Sequence, residues 1–271
     1  MLTEPRHGIH RSLARLSFAA TLSFSALLAF GACATPVQAK QHASSAASKD
    51  TVRDRKALLQ LARVTRSVGD GQAALDLYRQ VAGPGADPAL RVEYGDALLE
   101  AGQIDDAIGV YESVDPRSPA EVDALLGLQR AHARLGDLDK ALLDAQRAAT
   151  LAPGEERVQV SLGVSLDAVG RHTEAQAYYR QALTASPRSV AARNDLALSL
   201  AMTGQYQEAI DILAPMAKSA NASARVRQNL ALVYGLKGDR DQAMALGRAD
   251  LTAQEAESNQ RFFELVRSGP R

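Results

Sequence analysis

One cysteine, Cys33, and five histidines are the side chains that could carry nucleophilic, metal-binding or covalent-attachment chemistry. Cys33 closes an apolar run in the stretch LLAFGACATP, residues 27–36. Three chemistries compete for it: a packed thiol, a reactive thiolate, or a place where a lipid is attached and the chain is cut. A nucleophile needs a rigid site to activate it, and Cys33 lies too near the terminus to be held by one. His132 and His172 have no second His or Cys at ligand spacing. His132 reads as a packed residue and His172 as the start of a surface helix. His7 and His10 fall in the terminal segment, and His42 in a linker. The sequence holds no G-x-x-x-x-G-K-[ST], G-x-S-x-G or G-x-G-x-x-G, and its carboxylates are scattered over solvent positions of helices. These observations predict a protein with no catalytic residues, no metal and no cofactor.

The segment around Cys33 points to export. Arg6, Arg11 and Arg15 precede an uncharged, mostly apolar run from Leu16 to Phe30. As a helix that run would rise about 22 Å, short of a hydrocarbon core of about 30 Å. A cleaved secretory signal fits better than a spanning anchor. Gly31 and Ala32 directly before Cys33 resemble the lipobox of bacterial lipoproteins, in which a diacylglycerol is attached to the cysteine and cleavage leaves it first. Phe30 departs from the aliphatic residue usual in that box. Ordinary cleavage after Ala34 or Ala39 is the rival route. Ala34–Asp50 is small, polar and poor in large apolar residues and reads as a tether, whose 17 or so residues reach roughly 20–25 Å as coil. Residues 1–33 hold three arginines against one acid, a balance of +2; the whole chain is neutral, so the remainder carries −2. A mildly acidic chain with no basic cluster argues against nucleic acid as a partner, and one cysteine excludes an intrachain disulfide.

The body of the chain repeats. Gly recurs at 69, 102, 136, 170, 204 and 238; Ala follows five residues later at 74, 107, 141, 175, 209 and 243. A large apolar residue stands eight before each Gly: Leu61, Tyr94, Leu128, Leu162, Leu196 and Leu230. Spacings of 33 and 34 residues are those of the tetratricopeptide pattern. They predict an all-α, right-handed solenoid of six helix-turn-helix units, at about 55–87, 88–121, 122–155, 156–189, 190–223 and 224–251. The Gly suits a left-handed residue after helix A, and the Ala a close approach of helices A and B. Asp70, Asp137 and Asp239 can cap helix B. Pro119, Pro153 and Pro187 are placed to open the next helix A, and Ser118 to Glu121 has capping-box spacing. Pro215 should kink or shorten its helix. Residues 252–271, with Phe262, Phe263, Leu265 and Val266, read as a capping helix and tail.

The concave face of such an array is a binding surface, lined from helix A. Counting from the Gly, its first half is charged in bands: Lys56, Arg63 and Arg66, then Glu93, Asp96 and Glu100, then Arg130 and Arg134. Its second half is more apolar: Val160, Val164, Leu198, Met202, Leu232 and Leu236, with Asn194, Arg225 and Gln228 nearby. Asn and Gln there could clamp a peptide backbone while the apolar residues take its side chains. The alternative is that some of these residues only pack between repeats and that the charged bands are solvated faces. A small-molecule substrate has no evident site.

The stretches RNDLALSLAMTGQYQEAIDILAPMA and ARVRQNLALVYGLKGDRDQAMALGRADL resemble the Flp pilus (tight adherence) assembly protein D family over about residues 190–263. That resemblance implies an outer-membrane lipoprotein of pilotin type, with Cys33 lipidated and the repeat groove holding the secretin subunit of the pilus machine. Two rivals stay open: a periplasmic repeat scaffold for another envelope complex, and a regulatory subunit of an envelope polysaccharide synthase.

Overall fold

The computed structural model describes residues 53–83 and 85–250, with side chains for 53–83 and 85–247. The export segment, Cys33, the tether and residues 252–271 lie outside the described residues. Within them the chain is helical throughout, with no strand. Helix α1 covers 53–67. It is followed by α2 (Gly71–Val81), α3 (Pro88–Glu100), α4 (Ile104–Glu112), α5 (Glu121–Leu135), α6 (Leu138–Leu151), α7 (Glu156–Ala168), α8 (His172–Ala185), α9 (Val190–Met202), α10 (Tyr206–Ala217), α11 (Ala224–Lys237) and α12 (Arg240–Asp250). Consecutive helices pack in antiparallel pairs. From α3 onward each odd-numbered helix also touches the next odd one. The odd helices therefore form one continuous row, and the even helices back it. This is a helix-pair solenoid.

All six turn glycines adopt the left-handed conformation, with φ between +78° and +95°. Each turn closes in the same way. The N–H of the residue after the glycine donates to a carbonyl five residues back, as from Asp137 to His132 and from Asp239 to Tyr234, both 2.9 Å. This bond pattern satisfies carbonyls that the helix end leaves open.

The capping expectations hold in part. Asp70 accepts from the Ala73 N–H at 3.1 Å, and Asp239 from that of Gln242 at 3.4 Å. Asp137 does not cap α6; its carboxylate turns to Lys140 Nζ at 2.9 Å. No capping box forms at Ser118. Helix α5 starts only at Glu121, and Ser118 Oγ is buried without a partner. Pro119, Pro153 and Pro187 stand two or three residues ahead of α5, α7 and α9, in the turns. Pro153 and Pro187 directly follow the C-caps Ala152 and Ser186 and hold those residues out of helical backbone, so they end α6 and α8. Pro119 comes seven residues after α4 has ended, and none of the three opens the next helix. Pro88 alone opens one, with Asp87 capping Ala89 N–H at 2.8 Å. Pro215 leaves the Asp211 carbonyl without its donor but does not end α10, which runs on to Ala217 and, at 12 residues, lies within the 9 to 14 of α2, α4, α6 and α8.

The recurring alanines are buried, and so are Tyr78, Tyr111 and Tyr179 on the even helices. Leu61 breaks its column. It is 51% exposed, α1 being the first helix among the described residues, and Val64 and Val68 are exposed with it. The apolar core comes in two pieces. One runs from Ala62 to Val158, the other from Ala145 to Val233. Between the third and fourth repeats lies a polar layer, where Gln129 donates to Ser165 Oγ (3.1 Å) and accepts from Ser161 Oγ (3.0 Å).

Candidate functional site

The face built by the odd helices divides at the fourth repeat. In the first half nearly every charge is already paired with the neighbouring repeat. Arg63 makes a two-pronged contact with Glu93, 2.8 Å for each nitrogen, and Arg66 another with Glu100 at 2.7 and 2.6 Å. Arg130 reaches back to Asp96 at 2.6 Å, and Arg157 binds Asp123 and Glu155. Arg134 donates to the Leu99 carbonyl. Buried tyrosines support the acids from below: Tyr78 donates to Glu93 (2.6 Å) and Tyr111 to Asp96 (2.7 Å). Burial, followed by the acceptor Glu93, pushes the Tyr78 phenol up to about 12. Exposed pairs of this kind contribute at most about 1 kcal/mol each, but the forked geometry fixes the spacing of repeats. Arg130 and Arg134, expected as binding residues, are thus engaged within the array.

The second half is different. Val164 and Met202 are 40% and 64% exposed, and Leu198 and Leu232 are half-buried and stand outside both core pieces. Val160 and Leu236 face the same way but also pack against the second core. Arg225 and Gln228 are exposed at the far end. Asn194 is misplaced by the sequence reading. It is 1% exposed, accepts from Asn229 Nδ2 at 2.8 Å and so joins the fifth repeat to the sixth instead of facing a ligand. What the structure brings together is an apolar strip of four side chains, flanked by polar ends.

Several residues of the site were not anticipated. Asp123, Arg157 and Asp195 lie on the face but were missed. The signal was available, since Asp123 and Arg157 stand at the same register 34 residues apart. Both described histidines are engaged by acids of their own repeats. His132 Nδ1 lies 2.7 Å from Asp144, largely buried, and His172 Nδ1 lies 2.8 Å from Asp167. Among the described residues no group of His, Cys and acids could hold a metal. A hollow of about 590 Å³ opens elsewhere, beside the end of α10; Ile212, Pro215, Met216 and Val226 line it.

Glu93 and Asp195 occupy the same register, nine residues before a turn glycine, yet their carboxyls shift in opposite directions. Arg63 holds Glu93 below the usual carboxylate range against the pull of burial, with Tyr78 helping. Burial pushes Asp195 up and Asp167 adds to it, while Asn194 and Arg225 oppose. A lowered carboxyl contributes stability above its unfolded pKa and loses it as pH falls; a raised one contributes stability in acid and loses it as pH rises through its folded value. Glu93→Gln is therefore expected to lower Tm at pH 7, and Asp195→Asn to raise it. Both differences should shrink as pH falls below about 4. Circular dichroism melts at the two pH values check the signs.

The tetratricopeptide repeat model matches residues 59–122, 92–156 and 160–224, more than half of the chain. Among solved structures, a tetratricopeptide repeat protein from Parabacteroides merdae ATCC 43184 is similar, with a TM-score of 0.64 and 17% identity over 80% of this chain and 88% of that one. A thermophilic TPR protein of Thermus thermophilus has a TM-score of 0.57 and 21% identity over 66% and 98%. At such identities the likeness concerns the fold. No curated protein matches the chain.

Proposed function

The chain belongs to the tetratricopeptide-repeat family, whose arrays serve as scaffolds for protein–protein interaction, and from that premise we propose a non-enzymatic adaptor of the bacterial envelope. A lipid on Cys33 anchors it to the periplasmic face of the outer membrane. The second half of its groove holds the secretin subunit of a Flp-type pilus machine. The observation that carries the reading is the asymmetry of the groove: charges in the first half are consumed between repeats, while Val164, Leu198, Met202 and Leu232 stay available. The layout of export segment, cysteine, tether and repeats supports the anchor, because acyl chains contribute about 0.8 kcal/mol per buried methylene. The resemblance over residues 190–263 supports the secretin.

Co-expression of the full chain with a Flp-type secretin, followed by membrane fractionation, tests this. Secretin multimers should reach the outer-membrane fraction with the wild-type chain and fail to do so with Cys33→Ser. Equal arrival of secretin in the absence of the chain would sink the reading.

A further inference from the structure

One carboxylate in the groove lacks the cation that its counterpart has. Six residues before its turn glycine the first repeat carries Arg63, and nine before the next glycine the second repeat carries Glu93; these two form the forked pair. The same two registers in the fourth and fifth repeats hold Val164 and Asp195. Valine can donate nothing. Among the described residues no ion pair reaches Asp195, and its side-chain hydrogen bond comes from its neighbour Asn194 at 3.1 Å. The tyrosine that would support it has also turned away. Tyr78 donates to Glu93, but Tyr179, at the same place in the fourth repeat, donates to Asp167 at 2.9 Å. Asp167 is also bonded to Ser199 (2.8 Å) and His172 (2.8 Å). Arg225 acts on Asp195 only at longer range. A part-buried carboxylate without a cation is unfavourable, and this one sits one helical turn from Leu198 in the open strip.

We propose that Asp195 receives a single basic side chain from a partner segment whose other contacts are apolar. The partner's Lys or Arg takes the place that Arg63 fills for Glu93, while its apolar residues cover Val164, Leu198 and Met202. This deepens the groove reading and rests on it. Charge complementarity selects such a segment over a purely apolar one, which would bury Asp195 unpaired, and over an acidic one, which it would repel.

The test is a displayed library of random peptides selected on the immobilised full chain. Retained peptides should carry one Lys or Arg within an apolar run. Their binding should weaken about tenfold or more on Asp195→Asn, a substitution that leaves the fold intact or stabilises it. Val164→Arg, which supplies the missing cation from within, should weaken the same peptides and raise Tm. Peptides that lose binding on Leu198→Asp but ignore Asp195→Asn would overturn this assignment and leave the groove standing. Failure to retain any peptide, or retention indifferent to Leu198→Asp, would remove the groove reading and this assignment with it.

Discussion

Gly127→Ala is expected to destabilise the array by about 1 to 3 kcal/mol, the range for forcing an extra methyl into a full core. A methyl on Gly127 would stand 2.4 Å from the Tyr111 ring, and one on Gly95 would meet the same ring at 2.5 Å. Tyr111 cannot step aside. It is 1% exposed, lies between two helix backbones and is tethered through its hydroxyl to Asp96. Gly163 stands in the same relation to Tyr179, at 2.5 Å. The sign is diagnostic, because Gly→Ala within a helix ordinarily stabilises by up to about 1 kcal/mol. Gly109, mid-helix in α4 with nothing within 4 Å of an added methyl, supplies the ordinary case. Urea unfolding should thus move the midpoint down for Gly127→Ala and Gly163→Ala and up for Gly109→Ala. A Gly127→Ala protein as stable as wild type would mean that the tyrosine does not sit as described. Against a typical total of about 5–15 kcal/mol, the expected loss is a large fraction.

Leu198→Asp and Leu232→Asp should each abolish partner capture with helicity and Tm nearly unchanged. Both side chains are half-buried on the open strip and outside the core pieces. A carboxylate placed there would be desolvated only when a partner arrives. Losses at central interface positions commonly exceed about 2 kcal/mol, some thirtyfold in affinity. Leu196 and Leu230, two residues away and 4% exposed, are the contrast: aspartate at either should unfold its repeat. Pull-down with the secretin, set beside thermal melts of all four variants, separates the cases. Parallel loss of Tm and capture at Leu198 or Leu232 would mean that these leucines are core.

The architecture was legible because a few positions tolerate one residue only. A left-handed turn selects glycine and a close helix crossing selects alanine, so columns at Gly69 and Ala74 recur in register whatever else changes. Helix ends were less legible. Asp137 and Ser118 have the right type and spacing for caps, but Lys140 competes for the first, and the late start of α5 strands the second. The groove was legible as two halves and not as contacts. Arg63 and Glu93 are 30 residues apart, Arg66 and Glu100 34, and a charge band shows its pairing only once the stagger between adjacent odd helices is known. Asn194 looked like a groove residue because its register is shared with Val160; one neighbour, Asn229, turns it inward. Asp195 was passed over because its meaning lies in a missing arginine.

The polar layer of Gln129, Ser161 and Ser165 bears on cooperativity. A solenoid holds together by coupling between nearest neighbours, and in most of this one that coupling is continuous hydrocarbon. At the boundary of the third and fourth repeats part of it is hydrogen bonds, each contributing only about 0.5–1.5 kcal/mol net. The boundary is thus a polar seam between the two core pieces, and local opening is expected to begin there. A seam at that place would let the half that bears the apolar strip follow the shape of a bound segment while the charge-laced half keeps its repeat spacing, and slower amide exchange on both sides of it only when a segment is bound is the expected sign.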